Sequence, residues 1–186
     1  MYSSKTRDWP ISISSNSVLR HLHSLVFHFA RYSKTNKKQT LLKQILDRSP
    51  NLSHLVVHWE DFRECETTYL NIKHIHLVLW QTFPEPKQHF DVCELSQLVP
   101  NLCRLETSNP NIMFTDNLIE FILEIIRRFN QMSYLIFNKY SRYPPKNRNK
   151  RLFKRTLLAQ GHGQQLFDAD NIRIRFTSTD KIYISL

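Results

Sequence analysis

The sequence predicts an α/β repeat protein in which a parallel sheet forms one face and helices form the other. Three observations lead to this prediction: a short apolar motif recurs, segments with helical periodicity lie between its copies, and glycine is almost absent. The 186 residues include two glycines, Gly161 and Gly163. Loops that cradle phosphate groups need several glycines, because their backbone approaches the ligand closely and adopts positive φ. Residues 1–160 therefore contain no Walker A loop, no Rossmann fingerprint and no nucleophile elbow.

The recurring motif is a polar residue followed by the pattern apolar-x-x-apolar-x-apolar. Its copies lie at 21–27, 51–57, 71–77, 101–107 and 131–137, with a looser copy at 171–176. They start 30, 20, 30, 30 and 40 residues apart, and three of the first five begin with Asn. One copy would describe any buried strand, whereas five in order indicate a repeat architecture.

Helical periodicity marks three segments between the motif copies. A helix is expected over 37–48, where Pro50 blocks its continuation. Asp91 and Glu94 form a start similar to a capping box for a helix over 92–99. The segment 117–129 has the strongest pattern, and its apolar stripe is wide enough to predict packing between two neighbours.

A fourth helix is expected from about Lys150 to Gln160, with Gly161 as its C-cap. The segment 59–70 is too short to indicate a helix. Strands that alternate with helices run parallel and are joined by right-handed crossovers. Because the spacing is nearly constant, the pattern favours a solenoid over a doubly wound sheet, in which the strand order would reverse. We expect one domain over 18–186, preceded by an extension over 1–17.

The motif resembles the leucine-rich repeat, whose consensus is L-x-x-L-x-L. The matching residues are Leu52, Leu55 and Val57, Ile72, Ile75 and Leu77, and Leu102 and Leu105. Thr107 departs from the consensus at its third apolar position. The resemblance covers about Val18–Leu186 and is closest to the divergent repeats that follow an F-box in the substrate receptors of ubiquitin ligases. It implies a non-enzymatic module that binds a protein partner on the open face of its sheet.

An F-box is a helical module that docks onto a Skp-type adaptor, and residues 1–17 contain nothing similar to it. The resemblance therefore implies adaptor binding only if an F-box is supplied elsewhere.

Residues between the apolar positions are expected to point outward on the open sheet face. The candidate partner-binding residues are His54, His58, His74, His76, Arg104, Tyr134, Arg173 and Arg175. Other side chains expected on this face are His23, Ser24, His28, Ser53, Lys73, Cys103, Glu106, Ser133 and Asn138. Because strands lie about 4.8 Å apart, His54 is expected beside His74, and His28 beside His58.

Two interpretations of these histidines are open. Imidazoles at strand spacing can share a zinc ion, but no third ligand is convincingly placed, so we predict a polar binding surface without metal or cofactor. Protonation near pH 6 would then make the face more cationic and favour acidic partners.

The positive charge, formally +10, is assigned to two places, a basic run at 142–155 and the cationic end of the sheet face. The members of the basic run are Arg142, Lys146, Arg148, Lys150, Arg151, Lys154 and Arg155. Tyr140, Tyr143 and Phe153 are interleaved, which would suit phosphate pairing and base stacking. The alternative function is therefore a basic nuclear module that associates with nucleic acid. The simpler interpretation of the run is a solvated loop followed by an exposed helix face.

No enzyme activity is predicted. Ser53 beside His54, or Cys103 across from His74, could form a nucleophile and base, but neither pair has an evident orienting group or oxyanion donors. The three cysteines lack C-x-x-C spacing, which is typical of a reducing compartment. No signal peptide and no apolar run near ~18 residues is evident. The expected location is intracellular, cytoplasmic or nuclear, with no membrane partner.

Overall fold

A computed structural model of the chain describes residues 18–27, 35–79, 90–109, 116–139, 147–168, 170–177 and 181–186. The strands are β1 (Ser24–Phe27), β2 (His54–His58), β3 (His74–Val78), β4 (Arg104–Asn109), β5 (Tyr134–Lys139), β6 (Arg173–Phe176) and β7 (Ile182–Ser185). The helices are α1 (Thr35–Asp47), α2 (Trp59–Phe62), α3 (Val92–Leu98), α4 (Asp116–Arg128) and α5 (Asn147–Gly163), and a 3₁₀ turn (Arg63–Cys65) follows α2. The proposed extension over 1–17 lies outside the described residues.

The described strands form one sheet in the order β1-β2-β3-β4-β5-β7-β6. Strands β1 to β5 are parallel, and each pairs with its neighbour in sequence. The α/β class and the parallel arrangement of the first five motif copies are therefore confirmed.

The sixth motif copy does not continue the parallel sheet. Strand β7 pairs antiparallel with β5, and β6 pairs antiparallel with β7 at the edge. Arg173 and Arg175 are therefore separated from β5 by one strand. Strand β7 was not predicted, although Ile182 and Ile184 alternate with Lys181, Tyr183 and Ser185 in the two-residue period of a half-buried strand. Both isoleucines are buried against the core.

The apolar motif positions form continuous buried ladders, because the parallel register aligns equivalent residues. One ladder consists of Leu55, Ile75, Leu105 and Leu135, and the next of Val57, Leu77, Thr107 and Phe137. All eight side chains are buried. Full burial of such an aliphatic or aromatic side chain contributes about 1.5–3 kcal/mol. The ladders thus join the repeats into one core, which the apolar residues of the helices share.

The first five motif copies are linked to one another by the same hydrogen-bonded turn. The carbonyl of Ser53 accepts hydrogen bonds from the backbone N–H groups of Lys73 and His74. The carbonyls of His23, Lys73 and Cys103 each accept from two consecutive N–H groups of the next motif copy in the same way. Asn side chains add a second link between turns. Asn51 Nδ2 donates to Arg20 O (2.7 Å), Asn71 Nδ2 to Leu52 O (2.6 Å) and Asn101 Nδ2 to Leu70 O (2.9 Å). Asparagine therefore recurs at the start of the motif because it bridges adjacent turns.

The helices form a layer in which α1 contacts α2 and the 3₁₀ turn, the turn contacts α3, and α4 lies between α3 and α5. The predicted helices over 37–48, 92–99 and 117–129 are confirmed within two residues at each end. Asp91 caps α3 by accepting from Cys93 N (2.7 Å) and Glu94 N (3.4 Å). Glu94 does not complete the capping box in this structure; its carboxylate lies 3.7 Å from Arg63 Nε.

The predicted C-cap of α5 at Gly161 is wrong. Helix α5 continues to Gly163, and Gln165 adopts the left-handed conformation with φ of 55°. The N–H groups of Leu166 and Gln165 donate to the carbonyls of Gly161 and His162, which is a Schellman ending. Gly161 serves packing instead, because a Cβ there would lie 1.9 Å from Phe167 Cζ.

Candidate partner-binding site

The sheet face opposite the helices consists of three rows of side chains. The outer row contains Ser24, His54, His74, Arg104, Tyr134, Ser185 and Arg173. The middle row contains Val26, Val56, His76, Glu106, Ile136, Tyr183 and Arg175. The inner row contains His58, Val78, Ser108 and Asn138. Exposure decreases from the outer to the inner row, so the face is open where the parallel strands begin and closed where they end.

Most of the predicted partner-binding residues lie on the open part of this face. His54, Arg104, Tyr134 and the two β6 arginines are exposed, and His74 and His76 are half-buried. His58 is an error in the prediction, because only 6% of its surface is accessible. Asn138 is buried as well. Both residues point to the expected side of the sheet, but they lie in the closed inner row. His28, the expected neighbour of His58, lies outside the described residues.

The predicted neighbours His54 and His74 form a direct contact. His54 Nε2 lies 2.6 Å from His74 Nδ1, and the rings meet edge to face with centroids 4.2 Å apart. On its other side, His54 Nδ1 lies 2.8 Å from Ser53 Oγ, which is 3.3 Å from His23 O. All three contacts are satisfied if Ser53 donates to His23, His54 Nδ1 donates to Ser53, and His74 Nδ1 donates to His54.

This geometry limits the charge that the histidine pair can carry. The 2.6 Å contact holds one hydrogen, so protonation of both facing nitrogens would break it. Burial lowers the pKa of His74 below its usual value, and the neighbouring His54, Arg104 and Lys73 lower it further. Both effects favour a neutral His74 when the face is unoccupied.

A polar network connects the middle and inner rows across β3, β4 and β5. His76 Nε2 contacts Ser108 Oγ at 2.6 Å, and Asn138 Nδ2 donates to Ser108 Oγ (3.2 Å) and Glu106 Oε1 (2.5 Å). The other Glu106 oxygen lies 3.8 Å from Arg104 Nη2. Sequence analysis overlooked Ser108, although it occupies the same motif position as His58 and Asn138. The network holds the Glu106 carboxylate against the sheet.

Neither of the two nucleophile–base pairs considered from the sequence forms a complete catalytic arrangement. His74 does orient His54, contrary to the expectation that Ser53 and His54 lack a third group, but the Ser53 hydroxyl also lies within hydrogen-bond distance of a backbone carbonyl. Cys103 Sγ lies within hydrogen-bond distance of two acceptors, Asn101 O (3.5 Å) and Gln131 Oε1 (3.9 Å), neither of which is a histidine.

The network around Ser108 contains a Ser-His-Glu set, but its geometry is incomplete for catalysis. Glu106 Oε1 lies 4.0 Å from His76 Nδ1, beyond hydrogen-bond distance, and Ser108 is buried. Across the described ranges, no group of three or more His, Cys, Asp or Glu residues is placed to hold a metal ion.

The basic run is only partly described. Arg142 and Lys146 lie outside the described residues, and Arg148 belongs to α5. Arg151, Lys154 and Arg155 are exposed on α5, whereas Lys150 lies 5.9 Å from the centre of the Phe176 ring. Phe153, considered for base stacking, is buried in the core. Tyr140 and Tyr143 are not among the described residues.

In the part of the chain that the structure describes, no helix is long and apolar enough to cross a membrane. Comparison with protein-family models found no match, and comparison with curated proteins found none.

Proposed function

We propose that the chain is a non-enzymatic protein-binding module that holds a partner across the outer and middle rows of its sheet. The observation that carries this proposal is the asymmetry of the sheet. Helices and apolar ladders cover one side, whereas the other side presents exposed His54, Arg104 and Tyr134 on the parallel strands β2, β4 and β5. Arg and Tyr are enriched where protein partners bind, because each combines apolar surface with hydrogen-bonding groups.

Exposed apolar surface on the same face supports the proposal. Tyr134 is 53% exposed, and Val26 in the middle row is 62% exposed. The outer row from His54 to Tyr134 spans about 14 Å, since neighbouring strands lie about 4.8 Å apart. A surface of this width, with polar groups around apolar ones, suits a peptide segment or the edge of a folded domain.

We further propose that the repeats form a leucine-rich-repeat-like solenoid similar to the substrate-recognition part of F-box receptors. The equivalent turns at His23, Ser53, Lys73 and Cys103 support the repeat character, as do the aligned apolar ladders. In such a receptor the solenoid holds the substrate, and an F-box supplied elsewhere would dock the Skp-type adaptor.

Site-specific photo-crosslinking tests the binding face. A benzoylphenylalanine side chain is placed at position 134 in one variant and at position 152 in a matched control, since Leu152 is 57% exposed on α5. We expect discrete protein adducts at position 134 that disappear when Arg104→Glu is added, and few at position 152. Equal crosslinking at both positions, insensitive to Arg104→Glu, would contradict the proposal.

The ligase connection needs a separate experiment. The chain is joined to an F-box, and recovery of a Skp-type adaptor and ubiquitination of the crosslinked partner are measured. Arg104→Glu is expected to abolish ubiquitination while adaptor recovery is unchanged, because the two surfaces are separate. Unchanged ubiquitination in this variant would refute the receptor assignment.

The exposed cations of α5 support a second candidate, a nuclear module that associates with nucleic acid. Arg151, Lys154 and Arg155 share one helix face, and Arg127 and Arg128 are exposed on the adjacent α4. Burial of Phe153 removes one of the aromatic residues that stacking would use. If three α5 cations pair with duplex phosphates, the logarithm of the binding constant should fall with log[salt] with a slope of about −2.7. The triple variant Arg151→Gln/Lys154→Gln/Arg155→Gln should remove that slope, and salt-insensitive binding would contradict this candidate.

A further inference from the structure

We infer that the segment bound on this face is an extended peptide with an apolar or aromatic residue between two carboxylates. This inference rests on the proposed function, because it specifies what the face recognises. The ligand's pattern follows from the order of side chains across the sheet, which the inserted strand β7 determines.

Positive groups lie at both sides of an aromatic zone. On one side are Arg104 in the outer row and Lys73 in the turn before β3, and both are exposed. On the other side are Arg173 and Arg175 of the edge strand β6. The zone between them contains Tyr134 on β5 in the outer row and Tyr183 on β7 in the middle row, where Tyr183 pairs with the buried Ile136. A ligand that crosses the sheet therefore meets a cation, an aromatic zone and a second cation.

The cations retain the capacity to bind an external anion. Glu106 is the carboxylate that the described strands place on this face, and Asn138 already donates to it. Arg104 lies 3.8 Å from Glu106, a long ion pair, and its side chain remains 45% exposed. Among the described ion pairs, none involves Lys73, Arg173 or Arg175. An exposed face with this charge balance favours a negatively charged segment.

The strand order also gives the spacing of the ligand's groups. Arg104 and Arg173 lie three strands apart in the outer row, which corresponds to about 14 Å. An extended peptide advances ~3.4 Å per residue, and alternate side chains point to the same side. Two carboxylates four residues apart, with the aromatic residue midway, would span about 13.6 Å and face the sheet together. The matching pattern is acidic-x-aromatic-x-acidic.

The histidine pair makes binding sensitive to pH at the β2–β3 end. The charged neighbours of His74 are Lys73 before β3 and Arg104 on β4, and the adjacent middle row carries the titratable His76 and Glu106. His23 meets the pair through its backbone carbonyl, which lies 3.3 Å from Ser53 Oγ. A ligand carboxylate beside His74 favours its protonated form, whereas the neighbouring cations oppose protonation in the empty face. Binding should therefore be accompanied by proton uptake, and affinity should increase as pH falls from 7.5 to 6.0.

Fluorescence anisotropy with a labelled nine-residue peptide tests the inference on the full chain. The peptide carries aspartate at its third and seventh positions and phenylalanine at its fifth, and a control peptide carries asparagine in place of both aspartates. We expect the acidic peptide to bind more tightly than the control. Arg104→Gln and Arg173→Gln should each weaken binding about two- to fivefold, as is typical of exposed charge pairs. Tyr134→Ala should weaken it about tenfold.

Arg128→Gln is the matched control variant. It should leave the affinity for the peptide unchanged, because Arg128 is exposed on α4, on the side of the sheet opposite the proposed binding face. Replacing His54 and His74 by glutamine should remove the pH dependence while leaving the melting temperature nearly unchanged. Equal affinity for the two peptides would overturn the inference. If position 134 still crosslinks to proteins in that case, the proposed binding function stands; if those crosslinks are also absent, both fail.

Discussion

Replacement of Thr107 by valine should stabilise the protein. Thr107 occupies a core ladder between Leu77 and Phe137, where the leucine-rich-repeat consensus has an apolar residue. It is 1% exposed, and its Oγ1 finds no hydrogen-bond partner among the described residues. Thr107→Val keeps the shape of the side chain and exchanges the hydroxyl for a methyl group.

The expected gain follows from the desolvation of that hydroxyl. A buried polar group without a partner costs about 1–3 kcal/mol, and a newly buried methyl group contributes about 0.8 kcal/mol. We expect the free energy of unfolding to increase by about 1–3 kcal/mol. For a chain of this length, each kcal/mol corresponds to about 2–4 °C in the melting temperature.

Urea unfolding followed by circular dichroism measures the effect, and an unchanged slope shows that the denatured state is unaffected. Ser108→Ala provides a control on the same strand, because the Ser108 hydroxyl contacts both His76 and Asn138. It should destabilise the protein, since its partners lose a buried hydrogen bond. A loss of stability in Thr107→Val would show that the hydroxyl has a partner, and would refute the reasoning.

The remaining predictions concern a turn, a helix and a titration. Asn71→Ala should lower the free energy of unfolding by about 1–2 kcal/mol in urea unfolding, because Asn71 Nδ2 bridges two backbone carbonyls; no change would contradict its bridging role. Gly163→Ala should stabilise the protein by about 0.5–1 kcal/mol, since the new Cβ would enter open space. Gly161→Ala should destabilise it, because the new Cβ would clash with the Phe167 ring. Changes in melting temperature of the same sign in the two variants would refute this contrast. NMR should show His74 titrating below its ordinary pKa, so that the unfolded chain binds more protons near pH 6 and stability decreases slightly as pH falls through that region. A His74 pKa at or above the ordinary value would contradict the geometry of the histidine pair.

Local sequence patterns predicted those strands and helices whose formation depends on residues close together in the chain. Apolar spacing places Leu55 and Val57 in the core because they lie on one strand with a two-residue period, and Leu52 is buried from the turn that precedes the strand. The helix at 92–99 could be predicted from Asp91 and Pro100, because capping and termination act within a single turn. The contact between His54 and His74 also followed from sequence, since equivalent positions of parallel neighbours lie side by side.

Features that depend on distant residues were not predictable in this way. His58 and His54 belong to the same strand side, yet only His54 is exposed, because the inner row is closed in the folded chain. Gly161 has the residue type of a C-cap, but its packing against Phe167 is a contact between the helix and the segment after it. Strand β7 enters between β5 and β6 by long-range pairing, which a repeat pattern does not encode.

Low glycine content, motif spacing and helical periodicity were sufficient to predict an α/β repeat chain with a histidine-bearing sheet face, because each arises from backbone geometry over a few residues. The tertiary structure decided which part of that face is open, and which strand separates Tyr134 from Arg173. It also assigned the recurring asparagines to bridges between turns. These properties depend on sheet order and burial, which involve residues far apart in the chain and are established only when the chain packs.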